Sequence, residues 1–247
     1  MTLKPEQLER YSRYLKLRDF SEEDQEALFT TTVSMMGAGG IGSPTLRLLG
    51  SLGFGTIRII DADTVELSNI QRQNIYNTND IGKKKAECAA INLSLMNPEV
   101  NYIPIVKKME ASNVDEILSG SDIIVDGLDS FESRRVVNSF SVENKVPYVF
   151  AGAVEYYANL STFVPKKTGC LNCFVGEAKD NIGNTAAAIG VSPELLSIVA
   201  GIETREAVLL ALGRRPNLLG KLMTIDISTI SFDLFEISRS ESCTVCG

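Results

Sequence analysis

The β-prone run Thr32-Val-Ser-Met-Met36 leads directly into Gly37-Ala-Gly-Gly-Ile-Gly42. The apolar spacing of a helix over Ser43 to Leu52 then leads into a second β-prone run, Thr56-Ile-Arg-Ile-Ile60. Strand, glycine turn, helix and strand make a βαβ unit, so the two strands must lie parallel and adjacent with the helix crossing one face of the sheet. Gly37, Gly39 and Gly40 shape a turn whose backbone can approach a phosphate, and Gly42 lets the helix pack closely on the strand. The free N–H groups of the helix start then face the anion. Asp61 follows the second strand, at the distance that places an acid on a nucleotide ribose.

The alternation continues with a helix over Lys83 to Leu95 and a strand near Asn101 to Val106. A helix near Asn113 to Leu118, the strand Asp122 to Asp126, a helix over Phe131 to Glu143 and a strand at Tyr148 to Phe150 follow. This predicts an α/β fold with a Rossmann-like, doubly wound, mostly parallel sheet. Two short helices over 5–17 and 21–30, the second opened by Ser21 with Asp24 three positions on, form a helical prefix over 1–30. Past Gly152 the rhythm changes to antiparallel strands, at Asn159 to Val164, Leu222 to Ile227 and Ile230 to Ile237. They surround a glycine- and alanine-rich stretch over 176–191, expected to be a mobile crossover loop, and a helix over Pro193 to Leu212 with Ser192 as N-cap. No repeat or linker divides the chain, so one domain over 1–247 is expected.

Composition narrows the chemistry. A net charge of -7 and a pI near 4.9 argue against nucleic acid as the main ligand, so any phosphate must be held by local donors. Histidine is absent, which removes Ser-His-Asp catalysis and histidine-ligated metals. No apolar run approaches the roughly 20 residues of a bilayer span, and the polar start from Met1 to Arg10 lacks a signal-peptide core. A cytoplasmic enzyme with no membrane contact is expected.

Asn69, Arg72 and Gln73 place amide and guanidinium donors just past the ribose acid, where a polyphosphate would be held; this favours ATP chemistry over hydride transfer. One of Lys83, Lys84 and Lys85 can also reach a phosphate, and periodicity does not choose among them. Asp126 and Asp129 stand at the end of the strand Ile123 to Asp126, where either carboxylate could hold Mg²⁺ against a triphosphate. Cys170-Leu-Asn-Cys173 and Cys243-Thr-Val-Cys246 are two short-spaced pairs with the spacing of a closed, structural four-thiolate zinc site. Cys88 lies in a predicted helix as a small buried hydrophobe.

These motifs together resemble the E1-like adenylating enzymes of the MoeB, ThiF and HesA group along nearly the whole chain. The resemblance rests on Arg10-Tyr-Ser-Arg13, the glycine turn, Asp61-Ala-Asp63, Ser68-Asn-Ile-Gln-Arg-Gln73, Ile81-Gly-Lys-Lys-Lys85, the Asp129 to Arg134 segment and both cysteine pairs. It implies an adenylyltransferase that uses Mg-ATP to activate the C-terminal glycine carboxylate of a ubiquitin-like or sulfur-carrier protein ending in Gly-Gly, giving acyl adenylate and pyrophosphate. The pathways served would be of molybdopterin, thiamin or tRNA-thiolation type. By position, Asp61 and Asp63 fall in the ribose motif, while Asn69, Arg72, Gln73 and Lys85 hold the phosphates. Asp129, over Asp126, takes Mg²⁺, and Zn²⁺ sits on the cysteines. A homodimer is implied, with Arg13 acting in trans.

The chain departs from that pattern in two places. Ala186 stands where many relatives carry a crossover-loop cysteine, which argues against a covalent thioester or persulfide step here, and Ser130 replaces the usual Asn after the metal-binding Asp. The sequence stops after the last cysteine pair, so a separate sulfur donor protein is expected. Competing readings are adenylation of a peptide or a modified tRNA base, the latter opposed by net acidity, and a non-catalytic zinc-stabilised binding module. An NAD-dependent oxidoreductase would leave Arg72, Gln73 and Lys85 without a task.

Overall fold

The structure is a computed structural model and describes residues 3–176 and 186–247. Eight strands form one sheet in the order β3-β2-β1-β4-β5-β6-β7-β8. β1 (Thr32–Met36), β2 (Thr56–Ile60), β3 (Asn101–Ile105), β4 (Ile123–Asp126) and β5 (Tyr148–Val154) pair in parallel. β6 (Tyr157–Phe163), β7 (Lys221–Asp226) and β8 (Ser231–Glu236) continue the sheet antiparallel. The mostly parallel sheet with antiparallel C-terminal strands is as the sequence predicts.

Strand alternation decides which helices cover which face. Val33, Met35, Ile57, Ile59, Ile123 and Val125 pack with residues of α3 (Gly42–Leu52), α4 (Lys85–Met96) and α9 (Pro193–Ala211). Their neighbours Met36, Ile60 and Ile124 point the other way, into α5 (Val114–Leu118) and α6 (Phe131–Asn144). The strand order runs outward on one side from β1 through β2 to β3, then resumes on the other side with β4. The crevice between the carboxyl ends of β1 and β4 is therefore a topological switch point, where open α/β sheets take ligands.

Two helices open the described chain. α1 is only Pro5–Arg10, shorter than the expected 5–17. Tertiary packing stops it: Tyr11 turns into the core, 3% exposed, and its hydroxyl accepts from Asn97 Nδ2 at 3.0 Å. α2 (Glu22–Thr30) has the expected box, with Ser21 Oγ accepting from the Asp24 N–H and Asp24 returning the bond. The sequence did not suggest α7 (Leu171–Val175), which carries Cys173. Of the stretch 176–191, residues 177–185 lie outside the described residues; Ala186–Ile189 form α8. Among the described residues no helix is long and apolar enough to cross a membrane.

Candidate active site and metal centre

The glycine turn sits at the switch point because backbone packs there against backbone. Gly37 has φ +87°, and a Cβ on it would stand 2.6 Å from Gly127 O, just past β4; a Cβ on Gly42 would stand 2.0 Å from Gly37 O. α3 can thus begin directly on the turn; the free N–H groups expected at its start are reduced there, because the Ser43 N–H donates to Gly39 O at 2.9 Å and Pro44 has no N–H to offer. Asp61 braces this arrangement from β2: its Oδ2 accepts the Ala38 N–H and its Oδ1 the Asp63 N–H, each at 2.8 Å. Tyr76, absent from the sequence reading, donates to Ala38 O at 2.9 Å. Burial, then the charge of Asp61, pushes its phenol well above the ordinary value, so it stays a donor.

Arg72 and Gln73 are brought to the turn. A Cβ on Gly39 would lie 3.8 Å from Gln73 Nε2, and one on Gly40 would lie 3.9 Å from Arg72 Cδ. Gln73 is 3% exposed, yet its Oε1 has no partner, an orphaned polar atom beside a turn built for close approach. Asn69 ends the 3₁₀ turn Leu67–Asn69. Its Oδ1 accepts the Glu66 N–H at 3.1 Å, while Arg72 Nη1 donates to Ser68 O at 2.7 Å. Of the three lysines, Lys83 is exposed, Lys84 donates to Ala62 O at 2.9 Å, and Lys85 is buried with its ammonium 3.1 Å from Asp63 Oδ2. The Lys85 N–H bond to Asp63 O, at 3.0 Å, sets this rotation, a long-range contact that helical periodicity does not carry.

The two aspartates after β4 are in different environments. Asp126 is fully buried. Its Oδ2 accepts from Arg134 Nε at 2.9 Å and Tyr148 OH at 2.5 Å, and its Oδ1 accepts the Leu128 N–H at 2.8 Å. Burial holds its carboxyl above the usual range, and Arg134, Tyr148 and the Leu128 N–H pull it only part of the way back; all three neighbours donate, so the ionised form is the one they satisfy. Asp129 is exposed and makes no hydrogen bond or ion pair among the described residues. A hard cation needs carboxylate oxygens that are free, and Asp129 fits where Asp126 does not.

Arg13 is not brought to this crevice. It lies exposed beyond α1, near where the Tyr11 hydroxyl packs against Gly53 at the far end of α3, roughly 16 Å along that helix from the turn.

The four cysteines converge. Their sulfurs lie within 4.8 Å of one another, with Cys170 to Cys243 at 3.7 Å and Cys173 to Cys246 at 3.4 Å. Tetrahedral Zn–S bonds of about 2.3 Å place sulfurs roughly 3.8 Å apart, so the donor set fits zinc. Asn138 of α6 supports the first pair, accepting the Leu171 N–H at 2.9 Å while its Nδ2 reaches Cys170 Sγ at 3.5 Å. Burial opposes ionisation of Cys243, but the Cys246 and Val245 N–H groups bring its thiol down to about 6. Burial and the neighbouring thiols push Cys246 up to about 12. A dication held by all four sulfurs would remove that difference. Cys88 is 3% exposed in the core.

A doubly wound sheet with a glycine turn, a bracing acid and clustered side-chain donors at its switch point has the form of a nucleotide-binding α/β protein. The chain belongs to the ThiF family, whose model matches residues 11–245. It is 33% identical over 248 residues to the SAMP-activating enzyme E1 of Haloferax volcanii, covering 100% of this chain and 92% of that one. The sulfur carrier protein adenylyltransferase of Thermus thermophilus is likewise 33% identical over 248 residues, covering 98% of this chain and 92% of that one. Among solved structures, E. coli MccB with ATP superposes with a TM-score of 0.84 at 26% identity, over 96% of this chain and 74% of that one.

Proposed function

We propose that this chain is an ATP-dependent adenylyltransferase acting on the C-terminal glycine carboxylate of a small ubiquitin-like or sulfur-carrier protein ending in Gly-Gly, with acyl adenylate and pyrophosphate as products. The observation that carries the reading is the placement of Arg72 beside Gly40 and of the Gln73 amide nitrogen, a donor, beside Gly39. A dinucleotide enzyme has no use for those donors; a triphosphate does. The names of the two relatives point the same way.

In this reading Asp61 and Asp63 take the ribose, and Asn69, Arg72, Gln73 and Lys85 take the phosphates. Lys85 exchanges its bond with the exposed Asp63 for one with the nucleotide. The attacking carboxylate is already ionised at neutral pH, so no general base is needed and the lack of histidine carries no penalty. What remains is alignment of carboxylate with α-phosphate, which the turn and α3 start provide, and neutralisation of charge moving onto pyrophosphate. Mg²⁺ on Asp129 supplies part of that neutralisation when bound. Arg13 is exposed and remote from its own turn, and a second copy of the chain in a homodimer would supply it. The four-thiolate zinc is structural, since four protein ligands leave no open position. A separate protein supplies sulfur where the pathway calls for it.

Calorimetric titration with ATP and with NAD tests the nucleotide. ATP binding weakened by about 10- to 100-fold in Arg72→Ala is expected, the loss of one charge-assisted phosphate contact. NAD binding tighter than ATP, unaffected by Arg72→Ala, would replace this reading with an oxidoreductase.

A further inference from the structure

Between β4 and α6 the chain must turn sharply while presenting one free carboxylate, Asp129. Every backbone neighbour of that residue is pinned. The Gly127 N–H donates to Met36 O at 2.7 Å, the Leu128 N–H to Asp126 Oδ1 at 2.8 Å, and Ser130 caps α6 by accepting the Ser133 N–H at 3.3 Å. The carbonyl of Leu128 accepts from Arg134 Nη2 at 2.5 Å. The same guanidinium reaches Asp126 Oδ2 at 2.9 Å through Nε and Ala151 O in β5 at 2.8 Å through Nη2. It lies 5.2 Å from the Phe150 ring centre and 5.6 Å from that of Phe131.

We propose that Arg134 is a positioning residue for the cation site: one planar guanidinium ties β4, the turn and β5 together and so fixes the backbone that presents the Asp129 carboxylate at the switch-point crevice. The inference rests on the assignment of Asp129 to the divalent cation made above. A buried ion pair is a weak source of stability, because desolvating two charges offsets most of their attraction. What this pair supplies is direction, and it does so through a fork of donors in fixed geometry that an ammonium group does not have. Arg134→Lys therefore keeps the charge and removes the fork.

The test is Mn²⁺ binding in the presence of ATP, followed by electron paramagnetic resonance, beside calorimetry of ATP without metal. Arg134→Lys is expected to raise the Mn²⁺ half-saturation about tenfold or more, the usual cost of losing a group that orients a metal ligand, while metal-free ATP binding changes less than about twofold. A loss of fold would weaken both together. A folded Arg134→Lys with unchanged Mn²⁺ half-saturation overturns the proposal. If that variant does not fold, Tyr148→Phe removes one donor from Asp126 and keeps the ring. A smaller shift in the same direction supports the proposal, and none overturns it. Asp129→Ala separates the two readings: Mn²⁺ binding that survives it defeats the assignment of Asp129 itself. Binding lost in Asp129→Ala but indifferent to Arg134→Lys and Tyr148→Phe defeats only the role of Arg134.

Discussion

The parallel half of the sheet closes on itself, whereas the antiparallel half is tied down by sulfur. At the carboxyl ends of β1 and β4, Gly37, Gly42 and Gly127 stack backbone on backbone, and Asp126 has three donors from its own chain. Beyond β8, by contrast, the tail is joined to α7 through four thiols and the Ser240 N–H, which donates to Cys173 Sγ at 3.4 Å. The outer strand leaves Phe232, Leu234 and Phe235 about half exposed. The crevice at the switch point is held by steric fit and internal pairing, while the attachment of the tail depends on four sulfurs that an ion would hold together.

The largest effect on stability should come from the first region. Gly42→Ala puts a Cβ 2.0 Å from a carbonyl oxygen. It is expected to cost roughly 3 kcal/mol or more, because backbone rather than a side chain must move. Thermal unfolding measures this, and a variant with wild-type Tm would show that the close packing is not what organises the turn. In the second region, Cys173→Ser should lower metal content and Tm together, with a loss of stability of about 2 kcal/mol or more, as expected where metal binding is part of folding energy. Unchanged metal stoichiometry would remove the four-thiolate site.

Glu203 sharpens the comparison because it lies where α9 packs on α3, fully buried. Thr45 Oγ1 is 2.9 Å from both Ile41 O and Glu203 Oε2. Its single proton can serve only one of them, and the carbonyl can only accept, so a neutral Glu203 completes the arrangement by donating. Burial, and next the charge of Asp126, push this carboxyl well above its usual range. The unfolded chain ionises the group near pH 4.3, so the folded chain binds the extra proton above that pH. Its stabilising contribution is then full below pH 4.3 and falls by about 1.4 kcal/mol per unit as pH rises, until the folded group ionises. Glu203→Gln should therefore unfold at a higher temperature than wild type at pH 8 and lose that advantage near pH 4.5; a pH-independent difference would mean the carboxyl is charged. The smallest stability effect belongs to Asp129→Ala, within about 0.5 kcal/mol for an exposed, unpaired side chain. The same change should abolish adenylation; near-normal turnover would return the cation to another group.

The βαβ unit was legible because its cause is local: glycine where the backbone must approach, apolar alternation on either side, an acid at the second strand end. The Ser21 and Asp24 capping pair and the two cysteine pairs were legible for the same reason. The choices among Lys83, Lys84 and Lys85, and between Asp126 and Asp129, were not, since each depends on a contact distant in sequence, the Lys85 N–H on Asp63 O in one case and Arg134 and Tyr148 on Asp126 in the other. Tyr76, Asn138 and Glu203 gave no signal either, because a polar residue at an apolar position of a pattern reads as noise until its partner is seen. The short α1 failed for a tertiary reason, the burial of Tyr11 beside Gly53 and Asn97.

ATP–pyrophosphate exchange, measured with purified carriers ending in Gly-Gly, tests most directly the claim that this crevice adenylates a carboxylate. Exchange that requires one such carrier, and disappears when its terminal glycine is removed, is the predicted result. No exchange with any carrier, in a protein that binds NAD tightly, would contradict it and return the glycine turn to a dinucleotide.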